Sequence, residues 1–272
     1  MHVQREKKDL IVPVRLDLKS TFTFACEKEM ACYTRCCKDA YIMLTPCDII
    51  RMKQRLGLSS DEFLHIYTTL GHIEKTDLPI PVIKMLEDDE KSCPFLEEPG
   101  CGIYEDRPLT CRYYPLSAGM FHDRDLSSDE PFFALIKEGH CLGHDLGREL
   151  TVDEWRKDQG IIPYDEANFG WTELILKRKS LGPFVTIPEK TLQMFFMGCY
   201  NIDRFRRFVF DSLFLNVYIV PEERKKKISE DDMAMLEFAV DWLKTTLLGE
   251  QKLKIREQVA EKDPVEVEAR AD

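Results

Sequence analysis

Eight thiols fall into two groups along the chain. The first is "CEKEMACYTRCC", which carries Cys26, Cys32, Cys36 and Cys37; the second is sparser, with Cys93, Cys101, Cys111 and Cys141. Most gaps within the groups are three to nine residues, short enough for the thiols to converge at little cost in closure entropy. Thiolates are soft ligands and select zinc, copper(I) or iron–sulfur clusters over magnesium or calcium. A centre shared by the two groups would staple remote segments, so metal binding would contribute to folding. Cys36 and Cys37 are adjacent, and on extended chain their side chains would point opposite ways and serve two centres; in a turn both could reach one. Eight thiols satisfy two four-thiolate sites, and fewer leave one site plus redox thiols.

The spacing favours an iron–sulfur cluster, of 4Fe-4S type, with zinc as the alternative. Only Cys32 paired with Cys36 or Cys37 has the short spacing of a zinc knuckle. A cube is wider than a zinc ion and tolerates more distant ligands, and Cys93 is followed by Pro94, as at some ferredoxin cysteines. A cube on four thiolates is anionic, and Arg107 and Arg112, with Arg35, could offset its charge; the plainer reading pairs Arg107 and Arg112 with Glu105, Asp106 or Asp123 on the surface. Tyr104, Tyr113 and Tyr114 could shield a centre or simply pack in the core. His140 and His144 flank Cys141 at a spacing of four and would share a face if helical. His65 falls in an expected helix and His72 just past it, while His122 and His2 read as solvated. Cys47 and Cys199 stand apart and read as packing residues.

The run "CPFLEEPGCGIYEDRPLTCRYYP" at 93–115 resembles the YkgJ-type cysteine-cluster family (CxxCxxCC) of zinc- or iron-chelating domains, through Cys93, Phe95, Leu96, Cys101, Ile103, Tyr104, Arg107, Pro108, Cys111, Arg112, Tyr114 and Pro115. Upstream, Phe24, Cys26, Cys32, Cys36 and Cys37 look like the family's opening cluster, with wider spacing, and "LTPCDI" looks like its next segment with Cys47 where an acidic residue is more usual. The resemblance covers roughly residues 22–145. It implies metal chelation, for electron transfer or metal handling. A flagellin lysine N-methylase with a similar iron–sulfur cluster supplies an enzymatic alternative, iron–sulfur-dependent protein lysine N-methyltransfer, but no convincing glycine-rich cofactor loop supports it here. A zinc-stabilised protein-interaction module is the third reading.

The elements that must position these thiols are unevenly spread. Nine of the ten cysteines precede residue 142, and the last 130 residues hold only Cys199. The expected fold is α+β and predominantly helical: a cysteine-rich metal-binding region over 1–150, packed against a helical region over 151–250, with a charged tail over 251–272 that frays from about 250. Residues 15–26 suggest a strand. Thr45, Pro46 and Gly57 bound a helix, Ser59 and Glu62 form a capping box for a helix through "SSDEFLHIYTTLG", and Thr151 and Glu154 form another. "LPIPVIKML" reads as extended chain, because two prolines would damage a helix. Pro99 and Gly100 mark a tight turn, and Pro108 begins a short helix carrying Cys111. Helices are expected over "YDEANFGWTELILKRK", from Pro188 onward as one or two segments, and over a long stretch opened by Ser229 and Asp232.

The 272 residues suffice for one large domain or two modest ones, and the formal charge of −11 argues against nucleic-acid binding. The opening "MHVQREKKDLIVPV" does not read as a secretory signal, and the apolar run at 208–220 is too short to span a bilayer and holds Asp211. With thiols clustered as ligands, a reducing cytoplasmic setting is expected, with a protein or peptide as the possible partner and no membrane insertion.

Overall fold

The computed structural model describes residues 15–74, 76–120, 131–180 and 187–256. It is a mixed α+β fold whose contacts form two compact units, each discontinuous in sequence: residues up to 44 with 82–166, and 45–81 with residues from 167 onward. The compositional boundary near residue 150 and this division by contacts do not coincide. Among the described residues no helix is long and apolar enough to cross a membrane.

The first unit carries the cysteine groups. Its strand β1 (Thr21–Phe24) is shorter than the expected 15–26, because only these residues find a continuous partner. Phe22 and Phe24 alternate inward, as a half-buried strand requires, and set their rings edge-on to Trp155 at 5.9 and 5.6 Å. The partner is the eight-residue strand His144–Thr151, paired antiparallel from Thr21↔Thr151 to Phe24↔His144. A helix over Val152–Asp158 starts directly afterwards, under the expected box: Thr151 Oγ1 accepts from the Glu154 amide at 3.1 Å, and Glu154 returns the bond to the Thr151 amide at 2.8 Å. A second antiparallel pair, Leu116–Met120 with Pro131–Leu135, places Phe133 fully inside, its ring stacked on Tyr113 at 6.2 Å.

In the second unit α1 (Pro46–Leu56) is capped by Thr45 and Asp48, with Gly57 at its end. Helix α2 (Ser60–Tyr67) opens on the expected box but stops earlier than expected. Residues Thr68–His72 form strand β2, paired with β3 (Pro79–Ile83), the stretch expected to be extended. Thr68 is β-branched, adopts extended angles and satisfies the Leu64 carbonyl with its own hydroxyl at 2.7 Å, which releases the backbone for pairing. His72 therefore ends a strand, and β3 and the later helix Ile162–Ser180 each run across a unit boundary.

The region after Pro188 is two helices, Glu189–Tyr200 and Ile202–Asp211, separated at Asn201, whose side chain caps the second by accepting from the Arg204 amide at 3.2 Å. Two corrections follow downstream. Ser229 does not open the long helix; it lies inside a helix over Glu222–Glu230 that the charged run "EERKKKISE" concealed, with Ile228 alone buried there. Asp231 caps the long helix, Asp232–Leu248, accepting from the amides of Met233 and Ala234 at 2.8 and 3.0 Å. Nor does the chain fray from 250: Lys254–Ile255 pairs with Tyr218–Ile219, and the Arg256 amide donates to the Val217 carbonyl at 2.9 Å. The remainder of the charged tail lies outside the described residues.

The core of the second unit is the face of the long helix around Trp242, ringed by Phe205, Phe208 and Phe214 with centroids at 5.1, 5.6 and 6.0 Å. Beside it lies a partly buried charge network. The Lys53 ammonium reaches Asp203 at 3.0 Å and Asp232 at 2.8 Å, while Arg206 bridges the same two carboxylates at 2.9 and 2.5 Å.

Candidate metal centre

Backbone contacts, rather than side chains, first bring the cysteine segments together. The Cys93 amide donates to the Cys37 carbonyl at 2.8 Å, and Lys38 bridges Ser92. The Ala25 amide donates to the Gly143 carbonyl at 3.0 Å, which sets the chain before Cys26 against the chain after Cys141. This approach needs glycine: a Cβ on Gly143 would lie 2.0 Å from the Ala25 carbonyl oxygen. A third tie is direct, from the Leu142 amide to the Cys32 sulfur at 3.3 Å. Cys101 closes a two-residue hairpin, Leu96–Glu97 with Gly100–Cys101, turned at Glu98–Pro99 as the proline and glycine suggest. Cys36 and Cys37 lie in a 3-10 turn, Arg35–Cys37, entered through Thr34 in the left-handed region at φ 64°. That turn is the geometry in which adjacent cysteines need not diverge.

None of the ten cysteines is in a disulfide. The thiols influence one another across both groups. Cys26 is exposed as a residue, yet the surrounding protein pushes its thiol up to about 11, with Cys36, Cys32 and Cys141 adding to the rise. Cys36 is raised by a hydrogen bond with Cys37, then by burial and by the Cys37 charge. Cys93 is pushed up to about 11 by burial, with further increments from Cys101 and Cys36. Burial also raises Cys101, against the pull of Arg107. Cys36 acts on Cys26, Cys93 and Cys101, and Cys32 and Cys141 act on Cys26, so thiols of the two groups influence one another. Cys111 rides on the helix Leu109–Tyr113 that follows Pro108. Cys47 and Cys199 are buried and belong to the second unit.

This donor set fits a soft cation. Burial first, and then the charge of neighbouring thiols, raises Cys26 and Cys93, and a bound cation would offset both effects. The gathering is not yet a coordination sphere: among the described residues no three Cys, His, Asp or Glu side chains are grouped so as to hold a metal ion. The histidines do not complete it. His144 opens a strand, so it shares no helical face with His140; its ring lies 5.3 Å from Phe24, and burial lowers its pKa. His140 faces Glu138 at 3.3 Å, His65 lies exposed on α2, and His2 and His122 fall outside the described residues.

The arginines divide. Arg35 pairs with Glu90 at 3.2 Å on the surface. Arg107 and Arg112 are buried, which overturns their reading as surface ion pairs; Asp123 lies outside the described residues. Arg107 acts electrostatically on Cys26 and Cys101, one thiol from each group. Arg112 is occupied by backbone, donating to the carbonyls of Glu105, Arg107 (3.2 Å) and Gln159 (2.7 Å) beneath the Tyr164 ring. Of the tyrosines, Tyr113 is buried and donates to Asp165 at 2.6 Å, Tyr114 lies beside the Cys141 thiol, and Tyr104 is exposed over Arg107. Gly143 and Gln159 carry parts of this arrangement that sequence reading missed. The signal for Gly143 lay in "GHCLGHD", a glycine two residues past a candidate ligand; none marked Gln159.

Backbone bonds thus join the two cysteine-bearing stretches, both of which belong to the first unit. The CxxCxxCC family model, described as a putative zinc- or iron-chelating domain, matches residues 25–141, the same family that the run at 93–115 resembles. No curated protein and no solved structure matches the chain.

Proposed function

We propose that the chain chelates an iron–sulfur cluster, or zinc in its place, through thiols drawn from Cys26, Cys32, Cys36, Cys37, Cys93, Cys101, Cys111 and Cys141. The observation that carries the reading is the joining of the two cysteine groups by backbone bonds, Cys93 to Cys37 and Ala25 to Gly143. The family match over 25–141 supports it. Apart from Cys32 with Cys36 or Cys37, the thiols lack the short paired knuckles of a zinc site, and a cube tolerates more widely spaced ligands, which favours the cluster. Electron transfer or metal handling is the use proposed for it. A chelating set needs its thiols reduced, which supports a cytoplasmic location.

Anaerobic purification with iron, sulfide and zinc quantified per chain tests the proposal. Stoichiometric iron and sulfide are expected. Zinc without either would refute the cluster and leave a zinc-stapled domain, and no metal at all would refute chelation. Cys101→Ser is expected to lower metal content while Cys199→Ser leaves it intact; equal retention in both would show that the wrong thiols were chosen.

A further inference from the structure

Two arginines of the first unit are more than nine-tenths buried as residues, Arg107 at 9% exposure and Arg112 at 8%. Among the described residues neither has a carboxylate at ion-pair distance. A buried charge is ordinarily paired, since its desolvation is otherwise uncompensated. Arg112 answers this with three backbone carbonyls. Arg107 has far less: one bond from Nη2 to Gln159 Oε1 at 2.5 Å, and the Tyr104 ring 3.9 Å from the guanidinium carbon. No Arg107 nitrogen is both buried and unpartnered, so the donors of its fork that Gln159 does not engage are open to solvent.

That fork borders a cavity of about 320 Å³, whose walls also include Glu105, Arg112, Lys157 and Asp158. The cavity is preorganised, because ring stacking and Gln159 hold Arg107 while carbonyls hold Arg112. Two of its charges are already spent, Lys157 on Asp153 at 2.7 Å and Asp158 on Arg148 at 2.6 Å. We propose that this cavity binds the carboxylate group of a small molecule, with Arg107 as its two-pronged anchor. A planar fork matches a carboxylate in both charge and geometry. Glu105 in the wall opposes a second negative charge, which disfavours a phosphate dianion, and it offers an acceptor to an ammonium group beside the carboxylate. The inference is independent of whether the thiols hold metal, although Arg107 would place such a ligand near Cys26 and Cys101.

The test is an NMR titration of the full chain as isolated, with metal content measured on the same sample. Acetate, glycine and inorganic phosphate are added separately at constant ionic strength, and the arginine side-chain N–H resonances are followed. Acetate and glycine should each shift one resonance saturably, with half-saturation of about 1 mM. Arg107→Lys keeps the charge and loses the fork, so that resonance should vanish and, followed through the Glu105 and Gly160 amides, affinity should fall at least about tenfold. Arg107→Gln should lose binding altogether; if it does not fold, Arg107→Lys carries the comparison. Absence of a saturable shift, or unchanged affinity in Arg107→Lys, would overturn the site. Phosphate binding as tightly as acetate would overturn the carboxylate assignment. A chain that binds acetate without holding metal would retain this site and refute the proposed chelation instead.

Discussion

Replacing Arg112 by methionine removes the clamp on the loop between Cys101 and Cys111. The wild-type guanidinium donates to the carbonyls of Glu105, Arg107 and Gln159, and its carbon lies 4.5 Å from the Tyr164 ring centroid. Methionine replaces much of the aliphatic stem but none of the donors. Each carbonyl left without a partner in buried surroundings costs about 1–3 kcal/mol, so three set an upper bound of about 9 kcal/mol. Two effects reduce it. Glu105 is exposed and a cavity adjoins, so water rehydrates part of what is lost, and removing a buried cation relieves its own desolvation. The net expectation is a loss of about 2–4 kcal/mol from the transition of the first unit. Arg112→Lys should fall between, because a point-like ammonium cannot reach three divergent carbonyls. Urea denaturation gives the stability, and hydrogen exchange gives the location: the amides of Asp106 and Arg112, bonded to Ile103 and Pro108 at 2.8 and 3.0 Å, should exchange faster. A stability change under about 0.5 kcal/mol with unaltered exchange would refute the claim that this arginine holds the loop.

Two further outcomes are expected. Gly143→Ala should separate the Cys26 and Cys141 segments, lowering metal per chain and costing about 1–3 kcal/mol, because its Cβ meets a backbone oxygen that cannot swing away; Gly139→Ala, with nothing within 4 Å of the new Cβ, is the matched control, and equal metal content in the two would refute the tie. The second concerns pH. Burial pushes Asp203 and Asp232 up, but the Ser60 amide and Lys53 on the one, and Lys53 and Arg206 on the other, more than reverse it and hold both carboxyls below the ordinary aspartate range. Depressed folded values mean that this stabilisation is complete above the unfolded value of about 3.9 and drains away as pH falls through the folded values. Lys53→Met should flatten that acid-side loss in stability measured against pH, and a slope equal to wild type would count against the network.

What the sequence disclosed was mostly local. Capping at Thr45, Ser59 with Glu62 and Thr151 with Glu154 is decided within four residues, and all three caps form. Elements that depend on distant partners were hidden. The strand His144–Thr151 has an almost wholly exposed, charged pattern and exists because β1, more than a hundred residues earlier, offers it a ladder. A nearer partner, the strand Pro79–Ile83, turned Thr68–His72 from helix to strand. At the site, residue type was enough to single out the thiols, and the motif around Arg107 was visible. Which segment adjoins which could not be read, since the joining bonds run through backbone groups that every residue possesses.

Pairing of β1 with His144–Thr151 has a practical consequence for anyone excising this domain. The family match runs from 25 to 141, yet the ladder that closes the thiol-bearing unit lies just outside both borders. A fragment trimmed to the match would lose both sides of its own clasp. It would also retain α1 and α2 without the late helices on which they rest, leaving their inward faces bare to solvent.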